Sequence, residues 1–190
     1  MNSLTDNREL SLLYKSALLP SESADEYNAL RDGLLMHLKP RDMIEHIYTA
    51  SIVHIDWEVV RTRRHKAMIV SIARREALVG LLDQHLDLFN YDSSHDLARR
   101  FFTNKAVKKQ VLKSFRPYGL DEAAIEAEAG RISMDHTERL DRRLAELESR
   151  RDRLLRQIDN HRAGLAIDIS ARSDECLIGE VVLTVPARAG

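Results

Sequence analysis

This sequence predicts an all-α fold: an elongated helical bundle on two long antiparallel helices, at about 42–86 and 122–161. Three observations carry the prediction. Helix breakers are few, with 7 glycines and 4 prolines in 190 residues. From Arg41 to Leu86 there is no proline and a single glycine, Gly80. Leu140, Leu144, Leu147, Arg151, Leu154 and Ile158 alternate in steps of four and three, the spacing of a helix packed along another helix.

The elements follow in order. Residues 1–22 are a mixed lead-in that ends at Pro20 and Ser21. Ser23 and Glu26 have the spacing of a capping box, and a helix of about 13 residues is expected after them. Tyr27, Leu30, Leu34 and Leu35 share one face of that helix. Pro40 closes this helix or opens the next.

The stretch after Arg41 is the most informative. On a helical wheel it shows two apolar ridges, Ile44, Tyr48, Ile52, Ile55 and Val59 on one side and Val53, Trp57 and Val60 on the other. Polar strips lie between them: Glu45, Thr49, Asp56 and Arg63 form one, and His54, Glu58, Arg61 and His65 the other. A surface helix needs one apolar stripe, so two ridges predict a helix wedged between partners.

Residues 90–94 read as a loop with Ser93 or Ser94 as a cap, followed by a short helix with Leu97, Phe101 and Phe102. Asn104 is placed to cap another short helix, with Val107, Val111, Leu112 and Phe115 inward. Arg116-Pro117-Tyr118-Gly119 is a turn. Asp121 caps the second long helix, which Gly130 could bend. At about 1.5 Å per residue the two long helices have matching lengths of about 57–60 Å, which predicts that they lie side by side. Residues 23–162 form the expected helical domain. Residues 163–190 are a tail, read either as a small hairpin through Leu165–Ile169 and Val181–Val185 or as a segment ordered only when bound.

Composition excludes several classes. With 44% hydrophobic and 31% charged residues the chain is too apolar for a disordered protein. No uncharged apolar run approaches the roughly 18 residues of a membrane span. The N-terminus has no basic start followed by an apolar run, and the lone Cys176 cannot form an internal disulfide, so a cytoplasmic protein is expected. Net charge is -1, so only local charge can point to a partner.

No catalytic, cofactor or metal residue is assigned. Asp42 with His46 and His54 with Glu58 are four apart, and Asp92 with His95 three apart, but none repeats on a facing helix as a bundle metal site requires. Hydrolase and phosphate-loop signatures are absent. An enzyme assembled from distant residues such as His54, Glu58 and His95 is the third reading.

Two local features remain. Between Asp96 and Asp121 there is no acidic residue, while Arg99, Arg100, Lys105, Lys108, Lys109, Lys113 and Arg116 are all present, with Phe101, Phe102, Phe115 and Tyr118 interleaved. These cations either contact phosphates or are neutralised by acids of the following helix such as Glu122 and Glu126. A second basic knot is Arg61, Arg63, Arg64, His65 and Lys66. The other feature is the seam Leu140, Leu144, Leu147, Leu154 and Ile158, which packs either on the first long helix or on a second chain, giving a homo-oligomer or a coiled-coil partner.

Four stretches together resemble an uncharacterised family of small helical bacterial proteins. They are Leu18-Leu-Pro-Ser-Glu-Ser-Ala-Asp-Glu-Tyr27, Trp57 with Arg61–Arg64, Gly119-Leu-Asp-Glu-Ala-Ala-Ile-Glu-Ala-Glu128, and Leu147-Glu-Ser-Arg-Arg-Asp-Arg-Leu-Leu-Arg-Gln-Ile158. The resemblance covers about 18–162 and implies an all-helical bacterial cytoplasmic protein without implying a reaction. The functional expectation is a non-enzymatic interaction or assembly protein. The alternative is a nucleic-acid-associated protein that uses 99–116.

Overall fold

A computed structural model describes residues 10, 12–15, 18–85 and 91–182, with side chains described through 85 and over 94–167. The fold is all-α, and no strand occurs among the described residues. The helices are α1 (Ala24–Leu38), α2 (Met43–His85), α3 (Tyr91–Phe101), α4 (Lys105–Phe115) and α5 (Glu122–Val182), with a 3-10 turn at Arg116–Tyr118 between the last two. None of the helices in the described residues is long and apolar enough to cross a membrane.

The caps form where side-chain oxygens can meet free amides. The hydroxyl of Ser23 accepts from the Glu26 amide at 3.3 Å. The Asn104 side chain accepts from the Ala106 and Val107 amides at 2.9 and 3.3 Å, and Asp121 accepts from the Ala124 amide at 3.0 Å. Each satisfies a donor that the first turn of a helix leaves unpaired. Asn104→Ala should lower stability by about 1 kcal/mol, and Asn104→Gly by only a few tenths. The shift in urea midpoint measures the difference.

The chain divides into two compact units, 1–57 with 147–190 and 58–146. In the first, α2 is wedged as expected. Trp57 is buried against Tyr27 of α1, edge to face at 5.5 Å, and the same tyrosine stacks on His54. On α5, Arg151 reaches Asp56 at 3.4 Å and His161 reaches Asp42 at 2.8 Å. Those pairings make α2 and α5 antiparallel within this unit. Ile52, Val53, Ile55 and Trp57 are buried from both ridges, whereas Ile44 at the head of the first ridge is exposed.

Glu45 and Thr49, at the start of one polar strip, are completely buried, whereas Arg63 at its end is exposed. Arg162 explains the burial of the carboxylate. Its guanidinium meets both Glu45 oxygens at 2.9 and 2.8 Å and the Leu38 carbonyl at 2.7 Å. The Arg41 amide donates to the same carboxylate at 2.9 Å. Arg162 thereby clasps the α1–α2 turn, where Lys39 adopts a left-handed conformation (φ 47°) that costs energy for a side-chain-bearing residue.

In the second unit, α2 and α5 again run antiparallel, with Lys66 on Asp141 at 2.6 Å and Arg74 on Glu126 at 2.5 Å. One core gathers Ala77, Leu78 and Leu82 of α2, Phe101 of α3, Val107, Val111 and Phe115 of α4, and Ile125 and Ala129 of α5.

Two boundaries differ from expectation. Helix α3 starts at Tyr91, so Ser94 is a buried residue inside it and not a cap. Residues 86–90 and 183–190 lie outside the described residues. Helix α5 continues past His161 to Val182, so the hairpin considered for 163–190 does not form in 163–182. No proline interrupts that stretch and it holds only two glycines, Gly164 and Gly179, and an existing helix propagates at far lower cost than a new one nucleates.

Candidate functional site

The basic segment occupies the end of α3, all of α4 and the 3-10 turn of the second unit. Its local order follows from two amphipathic phases. Val107, Val111 and Phe115 recur every four residues and anchor one face of α4 in the core. The helix period then turns Lys105, Lys109 and Lys113 outward, at the same four-residue interval. Arg116 follows on that outer face as the helix tightens into the 3-10 turn. Gly119 closes the turn at φ 70°, a left-handed conformation suited to glycine.

The seven candidate cations fall into two groups. Asp96 takes Arg99 at 2.7 Å and Arg100 at 3.5 Å along α3. The Arg99 guanidinium, followed by Arg100, holds the Asp96 carboxyl below its ordinary range. Glu122 takes Lys108 at 2.6 Å. Lys105, Lys109, Lys113 and Arg116 have no acidic partner among the described residues. These four, with Lys108 and Leu112, line an open cleft of ≈ 360 Å³. Internal neutralisation by α5 therefore reaches Lys108 and, from α2, Arg74; it does not reach the outer face of α4.

The interleaved aromatics divide in the same way. Phe101 and Phe115 are core residues at 1% and 0% exposure, while Phe102 and Tyr118 are 40% and 53% exposed. Phe102 stands edge-on to Phe101 at 5.0 Å with the Arg74 guanidinium 5.2 Å from its ring centre. Tyr118 lies 5.2 Å from the His85 ring.

The second basic knot is largely committed to neighbours. Arg61 pairs with Glu58, which also receives Arg143 at 3.1 Å, and Lys66 is held by Asp141. Of the seam, Leu147 and Ile158 are buried at 6% and 2% exposure, whereas Leu140, Leu144 and Leu154 are half-buried. Those two leucine and isoleucine side chains are thus packed within the chain, one of the two arrangements the spacing allowed.

The histidine pairs do not gather into a ligand set. His46 shares a hydrogen bond with the Tyr14 hydroxyl at 3.0 Å, and burial pushes that phenol up to about 12. His54 stacks on Tyr27, and His95 borders a surface cleft with Arg75, Asp96 and Arg99. Among the described residues no three His, Cys, Asp or Glu side chains are placed to hold a metal ion. Cys176 falls where only the backbone is described.

The sequence placed the seven cations in one stretch and could not separate paired from unpaired ones. It also missed the Glu45–Arg162 clasp, whose partners are 117 residues apart. Compared with family models, curated proteins and solved structures, the chain matches none.

Proposed function

We propose that this chain is a non-enzymatic helical binding protein that holds the phosphate backbone of a nucleic acid on the outer face of α4. The observation that supports it is the uncompensated stripe Lys105, Lys109, Lys113 and Arg116. Four cations along one rigid face raise the local concentration of a polyanion and replace its condensed counterions. A lysine-rich stripe suits backbone contact more than base reading. Asn104, at the head of the stripe, is committed to its cap.

The test is fluorescence anisotropy of a labelled nucleic acid titrated with the full chain at several salt concentrations. Four phosphate contacts predict a loss of affinity on the order of 100-fold between 50 and 200 mM salt. In the triple variant Lys109→Glu, Lys113→Glu and Arg116→Glu, binding should fall and the salt slope should flatten by about two to three contacts. All three positions are exposed, so the fold should survive. Unchanged affinity in that variant would sink the reading.

A further inference from the structure

Two exposed aromatics flank α4 along the chain. Phe102 sits three residues before Lys105, and Tyr118 two residues after Arg116. Each ring touches neighbours and keeps about half of its surface in solvent: Phe102, 40% exposed, lies beside Phe101 and Arg74, and Tyr118, 53% exposed, beside His85. The core already takes the adjacent Phe101 and Phe115, so packing does not need Phe102 or Tyr118 at these places. A positively charged track with pre-positioned, half-open aromatic rings at its ends is the arrangement that unstacked bases use. A duplex gains little from such rings, because its bases already stack on each other.

The geometry points to single-stranded nucleic acid as the ligand of this face, with bases stacking on Phe102 and Tyr118 and phosphates along Lys105, Lys109, Lys113 and Arg116. This inference rests on the backbone-binding reading above and adds which form of nucleic acid is bound. Lys105 to Arg116 spans about 16 Å at the helical rise of about 1.5 Å per residue. Arg74 has a further role here: its guanidinium, fixed by Glu126 at 2.5 Å, lies against Phe102 and holds that ring in place.

The experiment compares a labelled oligo-dT with a duplex of equal length, using the full chain and the variants Phe102→Leu, Tyr118→Leu and both together. The single strand should bind more tightly than the duplex. Each leucine variant should weaken single-strand binding about tenfold, leave duplex binding unchanged, and keep the salt slope, since no phosphate contact is lost. Phe102→Trp should retain the affinity. Circular dichroism checks each fold. Tyr118→Leu, at the more exposed site, decides the matter if Phe102→Leu destabilises the unit. Equal affinity for strand and duplex, or a Tyr118→Leu variant within twofold of wild type on oligo-dT, overturns the stacking inference and leaves the backbone reading in place. No binding to either form overturns both.

Discussion

Arg162→Met should destabilise the first unit by about 3 kcal/mol at neutral pH, the lower end of the range for breaking a buried ion pair. The variant keeps the length and apolar stem of the side chain but strands the Glu45 carboxylate, which is completely buried. It also removes the donor to the Leu38 carbonyl beside the left-handed Lys39. Arg162 itself keeps about a quarter of its side chain in solvent (26%), so water can enter beside the orphaned carboxylate and the cost stays near the lower bound. The single tryptophan, Trp57, lies in the same unit and is 3% exposed, so its fluorescence reports the urea transition directly. An unchanged midpoint would falsify the clasp as a stabilising element.

The pH dependence has a definite sign. The Arg162 hydrogen bond, followed by the Arg41 amide, holds Glu45 below its ordinary 4.5. The Glu45 amide, followed by His161, holds Asp42 below 3.8. Groups with depressed folded values contribute stability that is complete above their unfolded values and lost as pH falls through the folded ones. Wild-type stability should therefore hold above about pH 4.5 and drop below it. In Arg162→Met that contribution from Glu45 is absent and the stranded acid is protonated readily. The gap between variant and wild type should be widest at neutral pH and narrow in acid.

Phe115→Ala should cost about 3–5 kcal/mol in the second unit. The ring is completely buried and joins Val107 and Val111 of α4 to Ile125 and Ala129 of α5. Removing it leaves a cavity at the end of α4, where the chain tightens into the 3-10 turn and cannot collapse without moving Pro117 and Gly119. Amide exchange should show lost protection across α4 and the start of α5. Loss restricted to the last turn of α4 would mean that the ring anchors its own helix end and not the core.

Much of this molecule was legible from local pattern. The two apolar ridges around Trp57 announced a helix covered on both sides, and Tyr27 and α5 are what cover it. Asn104 and Asp121 announced their caps because capping needs only an oxygen within a few residues of free amides. The alternation read in Leu165–Ile169 misled because short apolar alternation does not separate a strand from a helix already under way. Ser94 misled because a cap residue is also tolerated inside a helix when packing covers it.

The remaining assignments separate residues that are neighbours in sequence. Phe101 and Phe102 differ by one step, as do Lys108 and Lys109, yet one of each pair is bound into the fold and the other faces outward. The sequence alone determined that the chain is helical, where most helices start, and that cations and aromatics gather in 99–118, because periodicity, breakers and caps act within a few residues. Only the tertiary structure decided that Glu122 neutralises Lys108 but not Lys109, that Arg162 reaches Glu45, and that Phe102 and Tyr118 stay open. Those outcomes depend on how helices far apart in the chain are rotated against one another, and a rotation of one residue step, 100° on an α-helix, changes every partner.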